Sequence, residues 1–128
     1  MAKKHTIVED YSYTNDNILR LRGGELFCFP KWDVQDGETL DFDANVSLSG
    51  SDPSVSMGLF QDGNQVAYSW TSDSDNIDSL SLFYRGKVTG HAAEMEFCIK
   101  NRRSVSVTIW EDRLQWMYSR YITNANSS

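Results

Sequence analysis

Proline and histidine each occur only twice in 128 residues, and Lys plus Arg number 12 against 18 acids, a formal charge of -6. Such a scarcity of cations opposes nonspecific binding to nucleic acid or anionic lipid, because phosphate contacts need clustered positive charge. The one basic run, "KNRR" at Lys100 to Arg103, is a short turn. No window approaches the roughly 18 consecutive apolar residues of a membrane span. No apolar h-region follows the lysines of "MAKKHTIVEDYSY", so no secretory signal is read there. That leaves a cytoplasmic protein, one exported by a dedicated machine, or a mature secreted form.

Catalytic chemistry is equally sparse. His5 and His91 are the only histidines, and neither sits in a motif with a serine or cysteine nucleophile. "GHAA" lacks the second ligand of a HExxH zinc site. Paired acids such as Asp41/Asp43 and Glu94/Glu96 occupy i, i+2 positions, where surface charge is far commoner than a glycosidase pair. No catalytic residue, metal ligand set or cofactor is therefore assigned. A small glycan-active enzyme stays as the third-ranked function.

What the chain does have is enough apolar and aromatic material for one core. At 40% hydrophobic and 12% aromatic residues, it is composed like an ordinary globular protein, and its length suits one domain. Residues 1–128 read as a single domain, with 1–16 and 123–128 as flexible termini.

Alternation is the dominant pattern. In "TLDFDANVSLSG", Leu40, Phe42, Ala44, Val46 and Leu48 alternate with Asp41, Asp43, Asn45, Ser47 and Ser49. Period two gives a strand with one buried and one wet side, which is antiparallel material. The period returns in Val55, Met57 and Leu59, and, after Asp62-Gly63, in Val66, Tyr68 and Trp70, a tight hairpin. It continues in Leu80, Leu82 and Tyr84, in Ala93, Met95, Phe97 and Ile99, and in Val105, Val107 and Ile109. "RLQWMYSRYI" reads as a strand in preference to an amphipathic helix because of its aromatics. The sum is an all-β chain of about nine or ten short strands, expected to form a single antiparallel β-sandwich of jelly-roll type. The stretch "LDFDANVSLSGSDPSVSMGLF" resembles strands of concanavalin-like jelly rolls over that fraction of the chain only, and carries no motif that fixes a family.

Cys28 and Cys98 each lie inside an apolar segment, "ELFCFP" and "EMEFCIK". Two reduced, buried thiols are the commoner state, and a disulfide between the segments is the alternative.

Two features are candidates for binding. "TSDSDNID", Thr71 to Asp78, concentrates three carboxylates and an amide at one end of the fold. Asp73 and Asp75 match the first acidic positions of a calcium loop, but Ile77 takes the third and no glycine follows. The reading is a solvated end loop that touches a ligand through Asp73, Asp75 and Asn76, with calcium admitted only as an irregular site. The second feature is aromatic. Trp110 shares its strand face with Ser104, Ser106 and Thr108, and Trp70 leads into the acidic loop. An indole among hydroxyls suits a sugar, whose C–H face stacks on the ring. A covered sheet edge or subunit interface is the commoner use of such a ring. The expected function is thus a lectin-like, non-enzymatic carbohydrate-binding module using Trp110, Trp70, Asp73, Asp75 and Asn76. The alternative is an assembly component of a toxin, appendage or virion. The partner is a glycan or a protein, with homo-oligomerisation admitted.

Overall fold

The computed structural model describes residues 4–14, 19–48, 54–71, 79–103 and 110–124. These residues are all-β. The strands are β1 (Lys4–Thr14), β2 (Leu19–Leu21), β3 (Leu26–Cys28), β4 (Trp32–Val34), β5 (Thr39–Ser47), β6 (Val55–Gln61), β7 (Asn64–Trp70), β8 (Ser79–Lys87), β9 (Ala93–Asn101) and β10 (Trp110–Asn124). They form two antiparallel sheets. The first has the order β1-β10-β5-β8, with β2 added beside the start of β10; the second has the order β3-β9-β6-β7, with β4 also on β9.

The alternation read from the sequence is the alternation of burial. Leu40, Phe42, Ala44 and Val46 of β5 are buried, and Asp43, Asn45 and Ser47 between them are exposed. Against them, from the second sheet, stand Val55, Met57 and Leu59 of β6 and Ala93, Met95, Phe97 and Ile99 of β9, all in one apolar cluster. A one-residue slip of β5 would send Asp41 and Asp43 into that cluster, and the cost of burying unpaired carboxylates fixes the register. The β6–β7 hairpin turns at Asp62 and Gly63, with φ of 51° and 82°. Positive φ at both central residues is what a two-residue antiparallel turn of matching twist requires.

Lys4–Thr14 and the end of β10 fall in the segments read as flexible termini. Lys4 to Thr14 pairs with β10 from Asn124 back to Gln115, interrupted by a bulge between Ile7 and Glu9. The backbone N–H and C=O groups of both segments find partners in each other. "RLQWMYSRYI" lies within the 15-residue β10. The expected strand over Val105, Val107 and Ile109 lies outside the described residues.

Two reduced thiols are not what the fold contains. β3 runs antiparallel to β9 with Cys28 directly opposite Cys98, so both side chains leave the same face of the sheet, and they form a disulfide. Nothing in the local apolar pattern around either cysteine encodes that cross-strand register. The bond closes a loop with a sequence separation of 70.

A charged group interrupts the inner face at one end. Arg120, in register with the buried Leu40, has a side chain only 13% exposed and lies 2.9 Å from Glu38 Oε1 and 2.7 Å from Glu9 Oε2. The Gln35 amide also donates to Glu38, at 2.8 Å. Burial by itself would raise the Glu38 carboxyl, but the Arg120 hydrogen bond, the Gln35 amide and the Arg120 charge together hold it below its ordinary value. The Tyr118 hydroxyl donates to Glu9, and burial followed by that carboxylate raises the phenol, so it remains a donor at neutral pH.

Three outcomes follow from this packing. Phe42→Ala should destabilise the fold by about 3–5 kcal/mol in denaturant titrations, as for other buried rings; a loss below about 1 kcal/mol would contradict the burial of that ring. Replacing both cysteines by alanine should lower stability by about 4 kcal/mol, the chain-entropy value for a loop of this length. A carboxyl depressed in the folded state stabilises above its unfolded pKa, and that contribution disappears as pH falls through the folded value. Melting temperatures should therefore drop as pH falls through and below the ordinary carboxylate range, and the drop should be shallower in Glu38→Gln.

Candidate functional site

Because the apolar residues of β5, β8 and β10 turn inward, their intervening residues build the outer face of the first sheet. Register sets that face out in rows. Arg85, Asp41, Ser119 and Asp10 form one row across β8, β5, β10 and β1, and Phe83, Asp43, Met117 and Ser12 form the next. On the other side of the first row lie Lys87, Thr39, Tyr121 and Ile7.

The centre of this face is an Arg–carboxylate fork. Arg85 Nε donates to Asp41 Oδ1 at 2.7 Å and Nη2 donates to Oδ2 at 3.2 Å. The Tyr121 hydroxyl donates to Asp41 Oδ1 at 3.3 Å, and the His5 ring meets the Tyr121 ring edge-on at 4.7 Å. His5 Nδ1 is engaged by the Thr123 hydroxyl at 3.0 Å. His5, Ile7, Asp41, Arg85, Ser119 and Tyr121 line an open depression of about 310 Å³. The Asp41 hydrogen bond and charge raise Arg85, whereas burial and then the Asp41 charge raise Tyr121. The site thus presents a fixed guanidinium and a protonated phenol, both directed at Asp41. Next to it, Phe83 is 62% exposed and Met117 is 52% exposed.

The outer face of the second sheet is different. There Tyr68 and Trp70 of β7 stand opposite Gly58 and Ser56 of β6. Arg102, just past β9, donates from Nε to Ser56 Oγ at 2.8 Å and from Nη2 to the Tyr68 hydroxyl at 3.3 Å. Its guanidinium carbon lies 4.8 Å from the centre of the Trp70 ring. A notch of about 100 Å³ runs beside these groups, lined by Phe60, Gly58, Gln65, Tyr68, Lys100 and Arg102 among others.

Of the residues expected from sequence, Trp70 is the one whose side chain is described, and its ring is half-buried beneath Arg102. Trp110 opens β10 opposite Leu21 of β2; its side chain lies outside the described residues. So do Asp73, Asp75, Asn76 and Asp78. Thr71, the first residue of the acidic segment, is buried, and its hydroxyl accepts from the Val55 amide at 3.0 Å. Cys28, Glu96 and Cys98 are the described group close enough to hold a metal ion, but the two sulfurs are bonded to each other and are not free ligands.

Sequence reasoning missed Phe83, Asp41 with Arg85, and Tyr121. Phe83 had a readable signal, since it falls out of phase with Leu80, Leu82 and Tyr84, the same argument that singles out Trp110. The fork had none. Asp41 and Arg85 are 44 positions apart, and only the pairing of β5 with β8 brings them together. Comparison with family models, with curated proteins and with solved structures yields no match, so the reading of these two faces rests on their geometry.

Proposed function

We propose that the chain is a lectin-like, non-enzymatic glycan-binding module of jelly-roll architecture, and that the sugar lies on the outer face of the first sheet. The strand orders β1-β10-β5-β8 and β3-β9-β6-β7 support the jelly-roll reading, because each sheet interleaves strands from both halves of the chain. The observation that carries the functional reading is the Arg85–Asp41 fork set between Tyr121 and an exposed Phe83.

A pyranose offers apolar C–H faces and a rim of hydroxyls that both donate and accept. Phe83 supplies an apolar plate one step of about 7 Å along the strand from Arg85. A guanidinium has five N–H groups, of which Asp41 takes two, so donors remain for ligand hydroxyls. The fork is held by its own partners before any ligand arrives, which removes an ordering cost from binding. A depression of about 310 Å³ sits at the lower end of the roughly 300–1,000 Å³ typical of small-ligand sites. The disulfide supports an oxidising compartment, where glycan-binding domains meet their ligands.

One observation favours the assembly reading as the alternative. β1 is an edge strand, and Ile7, Val8 and Tyr11 on it are exposed; such an edge can pair with another chain. A broad glycan array, followed by titration of any retained sugar, separates the two. Phe83→Ala and Arg85→Gln should each weaken sugar binding tenfold or more, which is about 1.4 kcal/mol, while the melting temperature of Phe83→Ala stays nearly unchanged. Undiminished affinity in both variants would discard this face. Retention of no glycan, with a concentration-dependent mass in light scattering, would favour assembly through β1.

A further inference from the structure

We infer that the notch on the outer face of the second sheet is a separate binding site for a small carboxylate with an apolar body, anchored by Arg102. The first ground is the state of its cation. In a chain of net charge -6, Arg85, Arg120 and Lys31 stand against carboxylates, whereas Arg22, Lys87 and Arg113 have none within ion-pair distance among the described residues. Arg102 and Lys100, both lining the notch, have no carboxylate within ion-pair distance among the described residues. Arg102 is nevertheless not a loose surface side chain. The Ser56 hydroxyl, the Tyr68 hydroxyl and the Trp70 ring hold its guanidinium on three sides. Two of its N–H groups are used, and the others have no acceptor among the described residues. A guanidinium oriented in this way matches the two oxygens of a carboxylate.

The second ground is what surrounds that cation. Leu26 and Phe60 line the notch with Tyr68. Gly58 lets the wall come close: a Cβ there would meet the Phe60 ring at 3.2 and 3.3 Å, so a larger residue would push the ring away. A space of about 100 Å³ with walls of this kind suits the end of one small apolar group, and among the described residues its cations are one oriented guanidinium, Arg102, and the Lys100 ammonium. An aryl or alkyl carboxylate satisfies both halves, its apolar part against Phe60 and Tyr68 and its oxygens on Arg102. The site lies on the sheet opposite the Arg85–Asp41 face and does not depend on the glycan reading.

The test is a titration of the oxidised, isotope-labelled full chain, following backbone amide signals with benzoate, benzamide, acetate and inorganic phosphate as probes. Benzoate should shift the Gly58 and Tyr68 amides saturably, and benzamide and acetate should each bind at least tenfold more weakly. Arg102→Gln should weaken benzoate tenfold or more and Arg102→Lys several-fold, whereas Arg85→Gln should leave it unchanged. Equal binding of benzamide would overturn the role of charge, equal binding of acetate the role of the apolar walls, and phosphate binding as tightly as benzoate the assigned ligand class. The absence of saturable shifts with benzoate would overturn the site itself. The comparison of benzoate with benzamide uses the unaltered chain, so it decides the matter even if Arg102→Gln fails to fold.

Discussion

The structure depends on burying Trp116 between the sheets. Its indole lies 5.2 Å from the Phe29 ring and 5.5 Å from Phe97 on the second-sheet side, and 5.9 Å from Phe42 on its own. Trp32, beside β9, stacks at 4.5 Å on Tyr118, the residue two positions along β10. Ring pairs at these separations add to the area they bury, each by about 0.5–1.5 kcal/mol. The indole N–H groups of Trp32 and Trp116 are buried with no acceptor among the described residues, an expense of about 1–3 kcal/mol for each such group. The apolar gain must exceed that expense, and the number of rings converging on Trp116 shows where the excess comes from. β10 is also the strand to which β1, β5 and β2 are hydrogen-bonded. Removing its inward ring would loosen the sheet and the core together.

A central strand with an aromatic inward face constrains what can lie outside. Since successive side chains alternate, Trp116 and Tyr118 inward require Met117 and Ser119 outward. The Asp41–Arg85 fork is placed by the same rule applied to β5 and β8, whose inward residues are Leu40, Phe42 and Leu82. Core and candidate site are therefore two sides of one periodicity. The exception is Arg120, which shares the inward phase of Trp116 and Tyr118. It is tolerated because the row lies at the end of the apolar cluster, where Glu38 and Glu9 reach it. A charged group there without those carboxylates would carry a desolvation cost with nothing to offset it.

How much of this was legible in the sequence follows from the range of each interaction. β5, the β6–β7 hairpin and the inward set of β9 were readable, since alternation and an Asp-Gly turn are local signals. Wet residues on β5 were readable as wet, but not as a fork, because Asp41 finds Arg85 only after β5 pairs with β8. The disulfide was hidden for the same reason: Cys28 and Cys98 meet through the register of β3 with β9. Trp70 is legible as a ring leading into the acidic loop, but its surroundings depend on Arg102, which in sequence is part of the short basic run "KNRR". In the fold, Ser56, Tyr68 and Trp70 turn that arginine from a solvated charge into an oriented one.

The two outer faces differ in a way that bears on how each would recognise a ligand. On the first sheet, cation and carboxylate are already paired, so the fork itself presents polarity with little net field, which is what the proposed glycan would meet. On the second, Arg102 is oriented by hydroxyls and a ring, none of which cancels its charge. A ligand hydroxyl placed there would gain a hydrogen bond, but a carboxylate would gain the bond and the ion pair, the stronger combination. Charge that is exposed to water is screened, so the apolar walls of Phe60 and Tyr68 must contribute alongside it. The same β-sheet chemistry thus places a guanidinium against a carboxylate across strands on one face and holds a guanidinium with uncharged partners on the other.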